Sequence, residues 1–150
     1  MYLVDTNIIS SGAPTKAVTP APLLAWMDAA SSGLFLSVIT AAEVAAGIAK
    51  AEREGATTKS RKLREWWTAV EHLYGDRILP IDHKVAPAIG QMLDKARSIG
   101  QSPGWADLAI AGTALTHGLT ILTRNLRHFQ PLGISCLDPF ADLPPLPWRF

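Results

Sequence analysis

The sequence predicts a single α/β domain in which a small, mainly parallel sheet of about four or five strands is flanked by helices on both faces. Short apolar runs typical of buried strands alternate along the chain with longer segments of helical periodicity. This alternation indicates a parallel sheet with helices on both of its faces. A length of 150 residues and a hydrophobic content of 48% suit one domain with one substantial core.

The predicted elements follow from apolar runs for the strands and from apolar spacing of about 3.6 residues for the helices. The strands are Tyr2–Val4, Leu34–Val38, Arg77–Ile81, Leu119–Thr123 and Ile134–Leu137. The helices are Leu23–Ala30, Thr40–Glu54, Thr57–Tyr74, Lys84–Ser98 and Trp105–His117, the last ended by Gly118. The proline-containing segment 13–22 is predicted to be a loop. We assign residues 1–140 to the domain and residues 141–150 to a proline-rich C-terminal tail.

Composition places few limits on the function. The formal net charge is +1, with 14 basic and 13 acidic residues, so total charge neither indicates nor excludes nucleic-acid binding. The single cysteine, Cys136, excludes an intrachain disulfide and a cysteine-rich zinc site. The N-terminal residues lack the pattern of a secretory signal, and no apolar run reaches membrane-spanning length. We therefore expect a cytoplasmic protein that does not contact a membrane.

Acidic and amide side chains fall where the predicted strands end. Asp5 follows the first strand, and Glu43 lies near the start of the helix after the second. Asp107 lies in the first turn of the Trp105–His117 helix, and Asn125 follows the fourth strand. Because ligands of open α/β sheets bind beyond the carboxyl ends of the strands, these groups are expected to converge. Oxygen ligands suit Mg²⁺ or Mn²⁺, which lower the pKa of a bound water and stabilise charge on phosphate oxygens.

Each of these residues also has a purely structural interpretation. Asp5 could cap a short helix that follows it, and Thr40 with Glu43 matches a capping-box pattern. Asp107 would complement a helix dipole, and Asn125 would suit a turn. From the pattern of residues alone, a metal site and a set of helix-start residues remain equally weighted interpretations.

Four ordered motifs resemble those of a known family. They are Val4-Asp5-Thr6-Asn7, Ser37-Val38-Ile39-Thr40-Ala41-Ala42-Glu43, Ala106-Asp107-Leu108-Ala109-Ile110-Ala111 and Leu122-Thr123-Arg124-Asn125. In this order they resemble the motifs of PIN domains, with the closer likeness to VapC- and FitB-type toxins of bacterial toxin–antitoxin pairs. The likeness runs from Met1 to about Phe140.

The resemblance implies a ribonuclease that depends on Mg²⁺ or Mn²⁺, forms a homodimer and is silenced by a cognate antitoxin. It implies that Asp5, Glu43 and Asp107 hold the metal. Thr6 matches the hydroxyl beside the first acid, and Thr123 belongs to the last motif, so both are expected to support the metal ligands.

The last motif departs from the wider family at its acidic positions. The fourth acidic position is Asn125 here, which we still expect to take part in catalysis. Three residues further on, relatives often carry an acid where this chain has His128. The departure leaves the fourth metal ligand open. It also makes His128 a candidate for contact with RNA phosphate, together with the nearby Arg124 and Arg127.

Two further features receive structural interpretations. The basic side chains between Lys50 and Glu65 are expected to form a solvated helix face in preference to an RNA-binding track. Trp105, which lies two residues before Asp107, is expected to pack against the domain in preference to stacking on a base.

Other functions remain open. A phosphatase with Asp5 as its nucleophile would need a second aspartate two residues later, where this chain has Asn7. A non-enzymatic alternative is a module that binds RNA or a protein partner and has weak or no catalysis. The missing fourth acid favours that second alternative.

Overall fold

Five parallel strands form one central sheet in the computed structural model, which describes residues 1–16 and 19–147. The strands are β1 (Tyr2–Val4), β2 (Leu34–Ser37), β3 (Ile78–Leu79), β4 (Thr120–Leu122) and β5 (Cys136–Leu137). The spatial order is β3-β2-β1-β4-β5, and each neighbouring pair is parallel. All five predicted strands are therefore confirmed. The third is shorter than the predicted Arg77–Ile81, and it ends before Pro80, which has no N–H to donate to a neighbouring strand.

Helices fill most of the connections between the strands. They are α1 (Thr6–Ile9), α2 (Ala21–Ala29), α3 (Val38–Arg53), α4 (Thr57–Tyr74), α5 (Ala86–Ser98), α6 (Trp105–His117) and α7 (Leu126–Phe129). The bounds of α4 and α6 agree with the prediction, and Gly118 has the left-handed conformation expected after α6. None of the helices in the described part of the chain has the length and apolar character that crossing a membrane requires.

Buried side chains lie on both faces of the sheet. Tyr2 and Val4 of β1 belong to a core cluster with residues of α2, α3 and α4. Leu3 belongs to a second cluster with residues of α5 and α6. Because successive side chains of a strand point to opposite faces, the helices form a layer on each side of the sheet. The predicted fold class is confirmed.

The described part of the C-terminal tail packs on the domain. The indole N–H of Trp26 donates to the backbone oxygen of Pro144 at 2.6 Å, and the hydroxyl of Tyr2 donates to that of Pro145 at 2.8 Å. Leu146 packs against the same core cluster as Tyr2 and Trp26. Residues 17 and 18 of the predicted loop and residues 148–150 of the predicted tail lie outside the described residues.

The strand order determines where a ligand would bind. From β1 the sheet grows through β2 and β3 on one side, and then through β4 and β5 on the other. The direction of growth therefore reverses between β1 and β4, and ligands of such sheets bind in the crevice at this switch point. Asp5 and Thr123 are the residues that directly follow these two strands.

Candidate active site

Asp5 is a buried carboxylate held by three donors. It is 6% exposed. Its Oδ1 accepts from the backbone N–H of Thr6 at 2.7 Å, which makes Asp5 the N-cap of α1, as the structural interpretation proposed. Its Oδ2 accepts from the hydroxyl of Thr123 at 2.7 Å and from the side-chain amide of Asn7 at 2.9 Å. Capping uses one oxygen only, so it does not account for the other two donors.

Glu43 lies in the second turn of α3 and does not cap the helix. The N-cap of α3 is Ser37, whose hydroxyl accepts from the N–H of Ile39 at 3.1 Å. The capping-box interpretation of Thr40 and Glu43 is therefore wrong, because the helix begins earlier than predicted. The carboxylate of Glu43 instead accepts a hydrogen bond from the hydroxyl of Thr6.

Thr6 connects the first two acids. Its N–H donates to Asp5 and its hydroxyl donates to Glu43, although 37 residues separate Thr6 from Glu43. The Thr6 hydroxyl also lies 3.1 Å from that of Thr40, which is fully buried. These contacts orient both carboxylates from one residue.

Asp107 lies in the first turn of α6 and contacts His128 of α7. The Nδ1 atom of His128 lies 2.9 Å from Oδ2 of Asp107, and the two side chains are 35% and 23% exposed. Nδ1 nevertheless forms no hydrogen bond with the described residues, so the two atoms are close without hydrogen-bond alignment. His128 thus lies next to Oδ2 of Asp107, an oxygen that would otherwise be open to a cation.

The pKa of Asp5 depends on its burial, on its hydrogen bonds and on the charges of the other two acids. Burial is the largest cause that raises the pKa of Asp5 above its ordinary value. The hydrogen bonds from Thr123 and Thr6 act in the opposite direction, and the negative charges of Asp107 and Glu43 raise the pKa further. Asp107 and Glu43 therefore lie close enough to Asp5 for their negative charges to act on its carboxylate.

The donor set fits a hard divalent cation, although it is not a closed cage. Within residues 1–16 and 19–147, no group of three or more His, Cys, Asp or Glu side chains is arranged to hold a metal ion. Mg²⁺ commonly binds through one or two carboxylates and completes its shell with waters and substrate phosphates. Oxygen donors on Asp5, Glu43 and Asp107 suit that mode of binding.

Asn125 and the two arginines lie on the segment after β4. Asn125 is exposed, and its backbone N–H donates to the Thr123 hydroxyl at 3.0 Å, whereas its side chain does not cap α7. Arg124 stacks its guanidinium over the ring of Phe140, 4.6 Å from the ring centroid. Arg127 lines a cavity of about 220 Å³ together with Asp107 and His128. The predicted RNA contacts therefore do not form one cluster.

Trp105 does not pack against the domain, contrary to the prediction. It is 64% exposed at the start of α6. Side chains two residues apart on a helix point in different directions, so Trp105 does not share the face of Asp107. Its position therefore gives no support to stacking of a base beside that acid.

The basic segment between Lys50 and Glu65 agrees with the interpretation as a solvated face. Exposed ion pairs join Lys50 to Glu54, Arg61 to Glu65 and Arg64 to Glu52. Such pairs neutralise charge that a track for RNA phosphates would need.

Asn7 is the site residue that sequence reasoning missed. Its amide donates to Asp5 and lies 3.2 Å from the Thr123 hydroxyl, and its oxygen accepts from the N–H of Arg124 at 3.2 Å. Its place in the Val4–Asn7 motif, two residues after a buried acid, was the available signal.

The fold and these motifs define a class of protein. The PIN domain family matches residues 2–132, and the chain belongs to that family. It is 35% identical to the plasmid stability protein StbB of Pseudomonas syringae pv. tomato, over 93% of this chain and 99% of that protein. It is 31% identical to toxin FitB of Neisseria gonorrhoeae, over 95% and 100%. It is 32% identical to VapC ribonuclease Y4jK of Sinorhizobium fredii, over 93% and 98%.

Solved structures agree with this assignment. The crystal structure of FitAcB from Neisseria gonorrhoeae contains a chain that is similar with a TM-score of 0.78 and 32% identity. That likeness covers 93% of this chain and 99% of the other. A structure of FitAB bound to an IR36 DNA fragment is similar with a TM-score of 0.77 and 30% identity, over 93% and 96% of the two chains.

Proposed function

We propose that this protein is a divalent-metal-dependent ribonuclease and the toxin of a toxin–antitoxin pair. The observation that carries the proposal is that Thr6 donates to both Asp5 and Glu43, while the pKa of Asp5, raised mainly by burial, is raised further by the charges of Asp107 and Glu43. The names of the relatives, a VapC ribonuclease and a toxin, support the substrate and the biological role.

In this proposal Asp5, Glu43 and Asp107 are the residues that would hold Mg²⁺ or Mn²⁺. When bound, the ion supplies positive charge that lowers the pKa of an attacking water and offsets charge on phosphate oxygens. Thr123 and Asn7 hold Asp5 through hydrogen bonds of 2.7 and 2.9 Å, so its orientation is set before substrate arrives. Thr6 does the same for Glu43. Asn125 is exposed and its backbone N–H donates to Thr123, and in this proposal its side chain binds substrate.

The test is cleavage of an end-labelled single-stranded RNA by the purified chain. We expect cleavage with Mn²⁺, none with excess chelator, and a loss of about a hundredfold or more in Asp107→Asn. Asp94→Asn is the matched control, because Asp94 is an exposed acid of α5 away from the site. Equal cleavage in chelator, or full activity of Asp107→Asn, would overturn the proposal.

The partners in this proposal are RNA, a cognate antitoxin and a second copy of the chain, and the site of action is the cytoplasm. The structures of FitAcB and FitAB, which contain similar chains, support a protein partner. Expression in bacteria should arrest growth, and co-expression of the small protein encoded beside it should restore growth. Asp5→Asn should not arrest growth at the same protein level.

Light scattering of the purified chain should give the mass of a dimer.

One observation favours the alternative of an RNA- or partner-binding module with weak or no catalysis. His128 lies against Asp107, and no closed metal-ligand group exists in the described residues. This alternative predicts RNA binding without cleavage at any Mn²⁺ concentration. A single-turnover assay with enzyme in excess separates the two, because it detects even one slow cleavage event per molecule.

A further inference from the structure

A polar cavity of about 290 Å³ opens beside Asn7, the residue whose amide donates to Asp5. Its lining includes Ser10, Ser11, Lys16, Arg124 and Phe140, and we call it the Arg124 cavity. Among the described residues that line it, none is acidic. The cavity that shares Ser10 and Lys16 with it differs in this respect, because its lining includes Glu43 and Glu54.

Arg124 is held in place by contacts that do not neutralise its positive charge. Its backbone N–H donates to the side-chain oxygen of Asn7, and its guanidinium rests on the ring of Phe140. Phe140 in turn packs against the core cluster beneath it. Across residues 1–16 and 19–147, neither Arg124 nor Lys16 has a carboxylate within ion-pair distance. Two cations without an ion-pair partner among the described residues therefore line one cavity, next to the Asn7 side chain that bonds to Asp5.

Most other donors of the cavity are already used within the protein. The hydroxyl of Ser11 donates to the backbone oxygen of Ile8 at 2.7 Å, and that of Thr19 donates to the backbone oxygen of Ser11 at 2.9 Å. The amide of Asn7 donates to Asp5. An occupant would therefore bind mainly through the two cations, which favours an anion over a neutral base or sugar.

We propose that the Arg124 cavity binds a backbone phosphate of the RNA strand, adjacent to the phosphodiester that lies over the carboxylates. The identity of the strand rests on the proposed function. Lys16 and Ser10 line both this cavity and the cavity of about 320 Å³ beside Glu43 and Thr6. The two spaces therefore adjoin along α1, which suits a continuing polymer better than an isolated phosphate ion. In this arrangement Arg124 fixes the register of the strand relative to Asp5 and carries no base specificity.

The experiment measures binding of a fluorescein-labelled single-stranded RNA oligonucleotide to the full chain by anisotropy. Chelator is present so that cleavage cannot occur, and the salt concentration is varied. Each phosphate contact contributes about 0.7 to the slope of log K against log salt for a single strand. Arg124→Gln and Lys16→Gln should each weaken binding about fivefold and reduce that slope by about 0.7. Arg53→Gln is the control, because Arg53 is an exposed cation at the end of α3 that does not line the cavity.

Unchanged slopes in both variants, or an equal change in Arg53→Gln, would overturn the inference. Inorganic phosphate at low millimolar concentration should displace little of the RNA, and full displacement would point to a site for free phosphate instead. Cleavage with Mn²⁺ is measured separately in the same preparations. If the wild-type chain does not cleave RNA but the two variants bind it more weakly as expected, only the proposed function is contradicted. If the wild-type chain cleaves RNA but Arg124→Gln and Lys16→Gln bind it as the wild type does, only this inference is contradicted.

Discussion

The hydroxyl of Thr123 donates to Oδ2 of Asp5 at 2.7 Å, across 118 residues of sequence. The bond joins the ends of β1 and β4 at the switch point of the sheet, and both residues are buried. It is also one of the interactions that hold down the pKa of Asp5 against the effect of burial. Thr123 therefore helps to orient the most buried acid of the candidate site and acts against the rise that burial causes in its pKa.

Replacement of Thr123 by valine should reduce RNA cleavage by about tenfold to a hundredfold, because Asp5, the proposed metal ligand, loses a supporting hydrogen bond. The shape of the side chain is nearly unchanged, so the fold should persist. Thr113→Val is the matched control, since Thr113 is equally buried and its hydroxyl bonds a backbone oxygen within α6. Equal activity losses in the two variants would indicate a general packing effect.

The pKa of Asp5 should lie above its ordinary value of 3.8 in the metal-free protein. Because the folded state then holds the proton more tightly than the unfolded state, the contribution of Asp5 to stability is fully present below pH 3.8. It is lost as pH rises through the raised pKa. Carbon-13 NMR of the Asp5 carboxyl group in chelator measures this titration directly.

The charge of Glu43 should account for part of that shift. Glu43→Gln should lower the pKa of Asp5, because a repelling negative charge is removed. Glu71→Gln, which changes an exposed acid of α4, should leave it unchanged. A pKa of Asp5 that is the same in wild type and Glu43→Gln would mean that the two carboxylates do not interact.

His128→Asp should strengthen Mn²⁺ binding. The substitution removes a ring nitrogen that lies 2.9 Å from Asp107 and adds an oxygen donor at that place. We expect an increase in affinity of about tenfold by isothermal titration calorimetry. His83→Asp adds an acid at an exposed turn and serves as the control. Weaker Mn²⁺ binding in His128→Asp than in wild type would show that the histidine supports the metal site.

Leu146→Ala should destabilise the protein by about 1–3 kcal/mol, because Leu146 packs against the core cluster of Tyr2 and Trp26. Leu143→Ala provides the comparison, since Leu143 is 48% exposed and its loss should change stability by less than about 0.5 kcal/mol. Urea unfolding followed by tryptophan fluorescence measures both. Equal effects would mean that the tail does not contribute through packing.

Sequence reasoning predicted the elements whose signals are local. The bounds of α4 follow from its long amphipathic pattern, and the end of α6 follows from Gly118, which adopts the left-handed conformation. The start of α3 was predicted too late, because Thr40 and Glu43 imitate a capping box while Ser37 supplies the real cap. Helix α7 spans only Leu126–Phe129 and is too short to show periodicity.

The acidic residues of the candidate site could be proposed from the sequence, but the hydrogen bonds and contacts that they form could not. Asp5, Glu43 and Asp107 were identified by strand ends and motif order, whereas the strand order that joins Asp5 to Thr123 depends on tertiary packing. The role of Asn7 arises from three contacts, one of them with Arg124 from the segment after β4. The contact between His128 and Asp107 is likewise invisible in the sequence, because it requires α7 to lie beside the start of α6.

The most direct measurement of the central claim is a Mn²⁺ titration followed by electron paramagnetic resonance, with RNA cleavage assayed at the same concentrations. The wild-type chain should bind Mn²⁺ saturably, and its cleavage rate should rise with occupancy. Asp5→Asn should bind at least about tenfold more weakly and lose cleavage in parallel. Cleavage that persists in Asp5→Asn, or that proceeds without measurable Mn²⁺ binding, would contradict the assignment of these carboxylates as the metal site of a ribonuclease.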